Sequence, residues 1–314
     1  MFATLLGAYP ESPDPESPDA AVRDVIAELA AAGLEPLTDG HGARDSSTVA
    51  DGTQIVAAWR LAASSTDRAV KQALLGPYTL ARRSGQPRDA NVAALAERIH
   101  ETIAGLAAAG CPMVEIEEPD AIRIGDDGTE RRRFSEAHHA MTAGLDGSIH
   151  LSLVLTGGNV DAAGAATYFD LPYASYAFDL IAGPENWRLI AAAPGDRGIV
   201  CGALDPAEGS SDRPEILVWA AHYAASTGGR GLDRVGLANA SSLSGLTRDR
   251  ARRKVRALAE AARIAAVGSS EELAAAIDPR AIDIRSAALG RYDPEASRAA
   301  RAGRQPGSGS RDGS

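Results

Sequence analysis

The sequence is poor in the residues that build metal clusters and disulfide frameworks. It holds two cysteines, Cys111 and Cys201, and six histidines among 314 residues. Two cysteines on separate predicted strands rule out a cysteine-rich zinc or iron–sulfur cluster, argue against a disulfide scaffold and favour a reducing cytoplasm. Aromatic residues are scarce as well, at 4%. The predicted core is therefore built mainly from Ala, Leu, Val and Ile.

Long apolar runs and an excess of basic charge are also missing. No apolar run approaches the ~18 residues that a membrane span needs, and Met1 is followed by strand-like residues rather than a basic leader. The formal net charge is −10 at pH 7, which argues against nucleic acid or an anionic membrane surface as the main partner. We therefore expect a cytoplasmic protein that acts on a small molecule, and its oligomeric state stays open.

Short apolar stretches alternate with helical patterns at a spacing of roughly 35 residues, and most of the stretches are apolar on both faces. The predicted strands cover residues 4–10, 34–37, 70–75, 111–118, 149–155, 174–181, 198–204 and 234–238. Helices are predicted over 20–32, 47–63, 90–109, 185–193, 214–225 and 248–267, with one more ending at Ala143. This order predicts an α/β fold, a (β/α)8 TIM barrel over residues 1–295. Residues 296–314 lack apolar content, so we expect a disordered tail there.

The stretch Cys111-Pro-Met-Val-Glu-Ile-Glu-Glu-Pro-Asp120 reads as a strand that ends in a cluster of acids. Glu115 and Glu117 share one face of this strand, and Glu118 follows at once. Carboxylates at the carboxyl end of a core strand need a partner or a ligand, and in an α/β barrel that end holds the active site. A solvated strand end capped by a turn is the alternative interpretation.

Five motifs, in this order, resemble the catalytic barrel of the cobalamin-independent methionine synthases. They are Leu6-Gly-Ala-Tyr-Pro10, Leu37-Thr-Asp-Gly40 with Arg44-Asp45, Lys71 with Leu75-Gly-Pro-Tyr-Thr79, Glu115-Ile-Glu-Glu-Pro119 and Gly202-Ala-Leu-Asp205. Each motif alone is weak, but together they extend over residues 1–267. The resemblance implies a uroporphyrinogen-decarboxylase-like TIM barrel with methyltransferase or related group-transfer activity, and methylfolate or methylcobalamin as the methyl donor.

The family binds zinc through His-x-Cys, a Glu and a later Cys, and the zinc holds a thiol as the reactive thiolate. The resemblance places these positions at His150-Leu-Ser152, Asp179 and Ser242. Neutral hydroxyls are poor zinc ligands. The sequence therefore favours a degenerate site without the family's zinc, and no cofactor is established by it.

The resemblance also assigns roles to single residues. Glu117 corresponds to the acid that holds the substrate amino group, and Ala8 replaces a serine that contacts the amino acid, so we expect an acceptor other than ordinary homocysteine. The predicted catalytic residues are His150, Asp179 and Glu117. Substrate contacts are predicted from Gly7, Asp39, His41, Glu117, Glu118, Ser152 and Ser242.

Three alternatives stay open. Loss of both thiolates supports a catalytically degenerate barrel that binds a small molecule or a protein. Nucleophilic catalysis by Ser152 with His150 would also need an oxyanion hole and a positioned acid. A uroporphyrinogen-type decarboxylase would need an arginine-rich first loop, which is missing. The functional prediction requires that Glu117 and His150 meet at one rim of the barrel, within about 15 Å.

Overall fold

A computed structural model describes residues 1–12, 17–40, 51–85, 88–145, 147, 149–210, 213–268 and 270–277. The predicted tail, His41, the Arg44-Asp45 pair and the first residues of the helix predicted over 47–63 lie outside these residues. None of the helices in the described ranges is long and apolar enough to span a membrane.

Seven strands form one parallel sheet with the order β1-β7-β6-β5-β4-β3-β2. The strands are β1 (Phe2–Ala3), β2 (Gln72–Leu75), β3 (Met113–Glu117), β4 (His150–Leu155), β5 (Ser175–Asp179), β6 (Gly198–Leu204) and β7 (Val235–Asn239). Nearly all of their residues are buried, as a parallel sheet covered by helices requires. The fold class is confirmed as α/β, with a curled, TIM-barrel-like parallel sheet.

The two edge strands of this sheet, β1 and β2, are joined by the segment that was predicted as a strand over 34–37. Glu35 N donates to Ala3 O at 2.9 Å, and Leu37 N donates to Ala69 O at 2.8 Å. Leu37 and Val70 form an isolated parallel bridge rather than a full strand pair. The predicted eighth strand is thus much shorter than expected, although its backbone hydrogen bonds reach both edges.

Helices connect the strands and cover the outer face of the sheet. They are α1 (Pro18–Ala32), α2 (Gly52–Ala63), α3 (Pro77–Arg83), α4 (Arg88–Ala108), α5 (Gly128–Thr142), α6 (Ala166–Phe169), α7 (Trp187–Ala192), α8 (Pro214–Ser226), α9 (Arg248–Val267) and α10 (Ser270–Ile277). Ser17 caps α1 by accepting from Ala20 N. Gly33 ends this helix in a left-handed conformation with φ of 96°.

Two hydrophobic clusters define the two faces of the sheet. Most of the core lies between strands and helices, whereas a small separate cluster consists of strand residues and Leu6, which follows β1. Its members are Leu6, Val154, Ala177, Val200 and Ala238. Because side chains alternate along a strand, this small cluster marks the inner face. The side chains of Glu115, Glu117, Ser152 and Asp179 share that face, and Glu118 does not.

Candidate functional site

The carboxyl ends of the parallel strands meet at one rim of the sheet, and several predicted site residues lie there. Glu117 is the last residue of β3 and Asp179 is the last residue of β5, both on the inner face. Gly7, Asp39 and Ser242 follow β1, the Leu37 segment and β7 in the same direction. The sequence prediction of a polar rim at this end therefore agrees with the strand topology.

Gly7 and Ser242 are in direct contact at this rim. Gly7 has φ of 68°, and a Cβ at this position would lie 3.0 Å from Ser242 Cα. The neighbouring backbone is tied as well, since Leu243 N donates to Ala8 O at 2.9 Å and Ser242 Oγ donates to the same oxygen at 3.1 Å. The chain after β1 and the chain after β7 are thereby held side by side.

Asp179 is held by backbone donors from two loops. Its Oδ1 accepts from Ile181 N at 2.9 Å and from Ala182 N at 2.8 Å, while Oδ2 accepts from Gly157 N at 3.1 Å. Burial raises the pKa of this carboxyl above its ordinary value, although the backbone donors act in the opposite direction. A buried carboxyl with a raised pKa at a strand end is suited to exchange a proton with a bound molecule.

Glu117 lies above a buried ion pair on the same face of β3. Two residues earlier, Glu115 Oε1 is 2.6 Å from Lys71 Nζ, and both side chains are 1% exposed. Lys71 Nζ also donates to Leu5 O at 2.7 Å. Burial raises the pKa of Glu115, and the Lys71 ammonium opposes this shift. The interior next to the rim therefore contains two charged side chains, and they are paired with each other.

Ser152 lies at the level of this ion pair and not at the rim. It is fully buried, and its Cα is in register with that of Glu115. Ser152 Oγ and Glu115 Oε2 are both buried and make no hydrogen bond with any described residue. The rim position of β4 is taken instead by Val154, in register with Glu117, and by the residue after the strand, Thr156. The predicted substrate contact of Ser152 is corrected accordingly.

Glu118 turns to the outer side of the sheet, because it follows Glu117 by one residue. It is fully buried, and its carboxylate accepts from Tyr78 N at 3.0 Å and from Thr79 N at 2.7 Å. Both donors belong to the first turn of α3, so Glu118 caps that helix. This geometry corrects the prediction that Glu118 contacts substrate.

The environment of Glu118 extends into a buried network that the sequence did not reveal. His138 Nε2 lies 3.1 Å from Glu118 Oε1, and His138 Nδ1 lies 2.6 Å from the Tyr173 hydroxyl. A Cβ at Gly76 would lie 2.1 Å from Glu118 Oε1, so the Gly-Pro-Tyr-Thr turn needs its glycine for this approach. The backbone hydrogen bonds of this turn to Glu118 support a structural role for it as the connection between β2 and α3.

His150 lies at the opposite end of the sheet from Glu117. It is the first residue of β4 and pairs in register with Met113, whereas Glu117 pairs with Val154. Four residues along a strand correspond to about 13 Å. The prediction that His150 and Glu117 share one rim is therefore wrong. The functional hypothesis that required this pair fails in that form, and of the three predicted catalytic residues only Glu117 and Asp179 lie at the carboxyl rim. The strand predicted over residues 149–155 already places His150 near its amino end, so the assignment of His150 to the carboxyl rim depended on the resemblance alone.

His150 also has a different hydroxyl partner from the one considered. Its Nε2 lies 2.8 Å from Ser175 Oγ, at the start of β5, and Ser152 is two residues further along β4. Nucleophilic catalysis by Ser152 with His150 therefore lacks the hydrogen bond that it would require.

The four positions assigned to the family's zinc do not form one set of donors. His150 lies at the amino end, Ser152 inside the sheet, and Asp179 and Ser242 at the carboxyl rim. In the described part of the chain, no group of three or more His, Cys, Asp or Glu side chains is arranged to hold a metal ion. These residues do not fit a family-type zinc centre, and no chemical step is assigned to one.

The two cysteines lie in the core, as the sequence indicated. Both are free and buried. Burial raises the pKa of Cys111 to about 11 and that of Cys201 to about 12, so both remain thiols at neutral pH.

Comparison with known proteins confirms the resemblance to the methionine synthases. Residues 44–146 match the family model described as the cobalamin-independent synthase, catalytic domain. No curated protein matches the chain.

Among solved structures, a B12-independent methionine synthase from Shewanella sp. W3-18-1, in complex with selenomethionine, superposes with a TM-score of 0.68 at 15% identity, over 84% of this chain and 98% of that one. A Listeria monocytogenes protein assigned as a vitamin-B12 independent methionine synthase gives a TM-score of 0.64 at 15% identity, over 84% and 97% of the two chains. D-Psicose 3-epimerase from Clostridium cellulolyticum H10 gives 0.54 at 12% identity, over 84% and 99%. These structures share the fold of this chain.

Proposed function

We propose that this chain, which resembles the cobalamin-independent methionine synthases over a TIM-barrel-like fold, is a methyltransferase or related group-transfer enzyme that acts on a small molecule at the carboxyl rim. One observation carries the proposal. Glu117 and Asp179 end strands β3 and β5 on the inner face, at the end of the fold where barrel enzymes bind substrate. Two strand spacings and an offset of two residues place their Cα atoms roughly 12 Å apart, a distance that a small ligand can span.

A substrate site at the carboxyl rim requires that the strands form a closed or nearly closed barrel. The backbone hydrogen bonds of Glu35 and Leu37 to the two edges of the sheet support a closed ring with a very short eighth strand. In this arrangement Asp39, which is buried at 6% exposure, joins the rim between Gly7 and the α3 turn.

The charge of the rim favours an acceptor that carries an ammonium group. Glu117 supplies a carboxylate that can hold this group through charge-assisted hydrogen bonds. The Shewanella structure contains selenomethionine, and an amino acid is the class of ligand that we transfer to this chain. Ala8 and the longer Glu117 side chain favour an amino acid or amine other than homocysteine.

Asp179 is the proposed proton acceptor. In a methyl transfer, the acceptor's sulfur or nitrogen forms a bond to the methyl carbon while the donor's bond to that carbon breaks. The acceptor then loses its proton, which Asp179 takes as a carboxylate. With methyltetrahydrofolate as the donor, the leaving nitrogen takes a proton from solvent; with methylcobalamin, the cobalt would keep the bonding electron pair and take none. The raised pKa of Asp179 makes it a better base than an exposed aspartate.

A radiolabelled methyl-transfer assay tests the proposal. The purified chain is incubated with methyltetrahydrofolate or methylcobalamin and a panel of thiols and amines, beside Glu117→Gln, Asp179→Asn and the control Glu260→Gln, which alters an exposed side chain on α9. We expect transfer to at least one amine-bearing acceptor, reduced by both rim variants and unchanged in the control.

The absence of transfer from either donor to any acceptor would contradict a methyltransferase. In that event, calorimetric titration with L-methionine distinguishes the alternative. Binding that depends on Glu117 and Asp179 would support a degenerate barrel that binds a small molecule at this rim, and no binding would reject the rim as a ligand site.

A further inference from the structure

The amino end of the sheet contains a cavity that is remote from the carboxyl rim. Its volume is about 360 Å³, and it is lined by the first residues of four strands: Met113, His150, Ser175 and Gly198. This volume lies within the range of cavities that bind small molecules. None of the residues assigned to the proposed rim site contributes to it.

Two glycines at this end of the sheet let neighbouring side chains pack against bare backbone. A Cβ at Gly236 would lie 2.5 Å from two ring carbons of Phe2, and a Cβ at Gly198 would lie 2.9 Å from Ser175 Cβ. The Phe2 ring therefore lies against the backbone of Gly236 and forms part of the cavity wall. With Met113 and Ile199 it gives the cavity a largely apolar wall.

One polar pair lies in this apolar wall. His150 Nε2 is 2.8 Å from Ser175 Oγ, and Ser175 is 5% exposed. His150 is exposed at the cavity mouth, yet the surrounding protein atoms desolvate its ring and lower its pKa. The imidazole is therefore neutral at pH 7. Its Nδ1 makes no hydrogen bond to any described residue, which leaves one ring nitrogen for a ligand.

The charged residues of the cavity discriminate between classes of ligand. Asp196, Asp233 and Arg234 line it, and Asp196 Oδ2 lies 3.8 Å from Arg197 Nε. The charges around the cavity therefore largely balance, and among the described residues no lining cation is left over to hold an anionic ligand. The neutral imidazole and the apolar wall favour an uncharged molecule whose ring or branched body fits against Phe2 and Met113.

We propose that this cavity at the amino end of the sheet is a second small-molecule site. It takes a neutral ligand with an apolar body and a single hydroxyl or carbonyl group that forms a hydrogen bond with His150. Ser175 is a positioning residue, because its hydrogen bond to Nε2 fixes the orientation of the imidazole ring. The site is independent of the proposed rim chemistry, since the two lie at opposite ends of the strands.

Phenol is a suitable probe, because it combines one aromatic ring with one hydroxyl group. The full-length protein is labelled with ¹³C at the methionine methyl groups, which gives signals from Met1, Met113 and Met141. Met113 lines the cavity, while Met141 is buried on α5 and serves as an internal control. Variants Met113→Leu and Met141→Leu assign the signals.

We expect a saturable shift of the Met113 signal with phenol and no shift of the Met141 signal. His150→Ala and Ser175→Ala should each weaken binding roughly two- to tenfold, the cost of one neutral hydrogen bond. Toluene, which lacks the hydroxyl, should bind more weakly than phenol, and benzoate should not bind.

Three results would overturn the proposal. They are a Met113 signal that does not saturate, an equal shift at Met141, or unchanged phenol affinity in both His150→Ala and Ser175→Ala when their spectra show the native fold. If one variant fails to fold, the other, together with the comparison of phenol and toluene, decides the outcome.

Discussion

Lys71 Nζ lies 2.6 Å from Glu115 Oε1 inside the sheet, where neither side chain reaches solvent. The pair occupies the layer directly below Glu117, on the same face of β3. Removing two charges from water is costly, and their attraction compensates for this only while both are present. The layer below the proposed site therefore depends on the integrity of one contact between β3 and the start of β2.

Loss of the cation alone should destabilise the fold strongly. We expect Lys71→Met to lower the free energy of unfolding by roughly 3–5 kcal/mol, because Glu115 would remain buried without its partner. The double variant Lys71→Met/Glu115→Leu should recover much of this loss. Urea denaturation measures both values. A single variant within about 1 kcal/mol of the wild type would show that the pair contributes little.

Glu118 should behave as a structural residue and not as a substrate contact. Glu118→Ala leaves Tyr78 N, Thr79 N and His138 without their buried acceptor, and we expect a loss of at least about 3 kcal/mol. The matched control is Asp120→Ala, which removes a pair with partly exposed Arg83 and should cost at most about 1 kcal/mol. Equal effects of the two substitutions would contradict the capping role. Unfolding in urea gives the comparison.

Most of the fold could be predicted because it depends on periodicity. The strand at Gly198–Leu204 and the helix at Arg248–Val267 were predicted with their observed bounds. The residue pattern of each segment differs clearly from that of the residues on either side. The strand predicted at 34–37 is reduced to a single bridge at Leu37, because it holds only four residues and Pro36 has no N–H for the ladder.

The site could be predicted only in part. Alternation predicted that Glu115 and Glu117 share one face of β3, and in the structure this is the inner face. Asp179 was assigned by the resemblance alone. The strand predicted over 149–155 nearly matches β4 and puts His150 at the amino end. The assignment of His150 to the rim followed the resemblance and not the strand bounds. The role of Glu118 arises from partners on α3 and α5 that are 20 or more residues away, and no local pattern contains them.

The contact between Gly7 and Ser242 predicts a difference between two glycines that share a backbone conformation. Gly7 and Gly85 both have φ of 68°, but a Cβ at Gly85 would meet nothing within 4 Å. Gly85→Ala should cost roughly 1–2 kcal/mol from the left-handed conformation alone. Gly7→Ala should cost more, because Ser242 must also move. Thermal and urea unfolding test this, and equal losses would exclude a contribution from the contact.

The desolvated ring of His150 leads to a prediction of how the free energy of unfolding changes with pH. Desolvation by the surrounding protein atoms lowers the pKa of His150 below its ordinary value of 6.5, so the unfolded chain binds more protons between the folded pKa and 6.5. The free energy of unfolding should therefore fall as the pH drops below about 6.5, and the contribution is fully present above it. His150→Ala should flatten this dependence between pH 5.5 and 7.5, while His139→Ala, exposed on α5, should preserve it. Parallel curves for wild type and His150→Ala would contradict the prediction.

Asp179 predicts how the proposed methyl transfer depends on pH. Burial raises its pKa above 3.8, and the proposed base must be ionised to accept a proton. The rate should therefore fall on the acidic side at a higher pH than an exposed aspartate would give. Asp179→Asn should remove that acidic limb and lower the rate by about 10²–10⁴-fold, the usual contribution of a general base.

The matched control for this prediction is Glu260→Gln. This variant should keep the wild-type rate of methyl transfer and its fall at acidic pH. The free energy of unfolding of Asp179→Asn has to be measured alongside, because the new amide would face the N–H groups of Ile181, Ala182 and Gly157. A folded Asp179→Asn protein with the wild-type rate, or with an unchanged acidic limb, would show that the proton goes elsewhere. In that case Asp179 would organise the loops after β4 and β5, and Glu117 would be the carboxylate to test as the base.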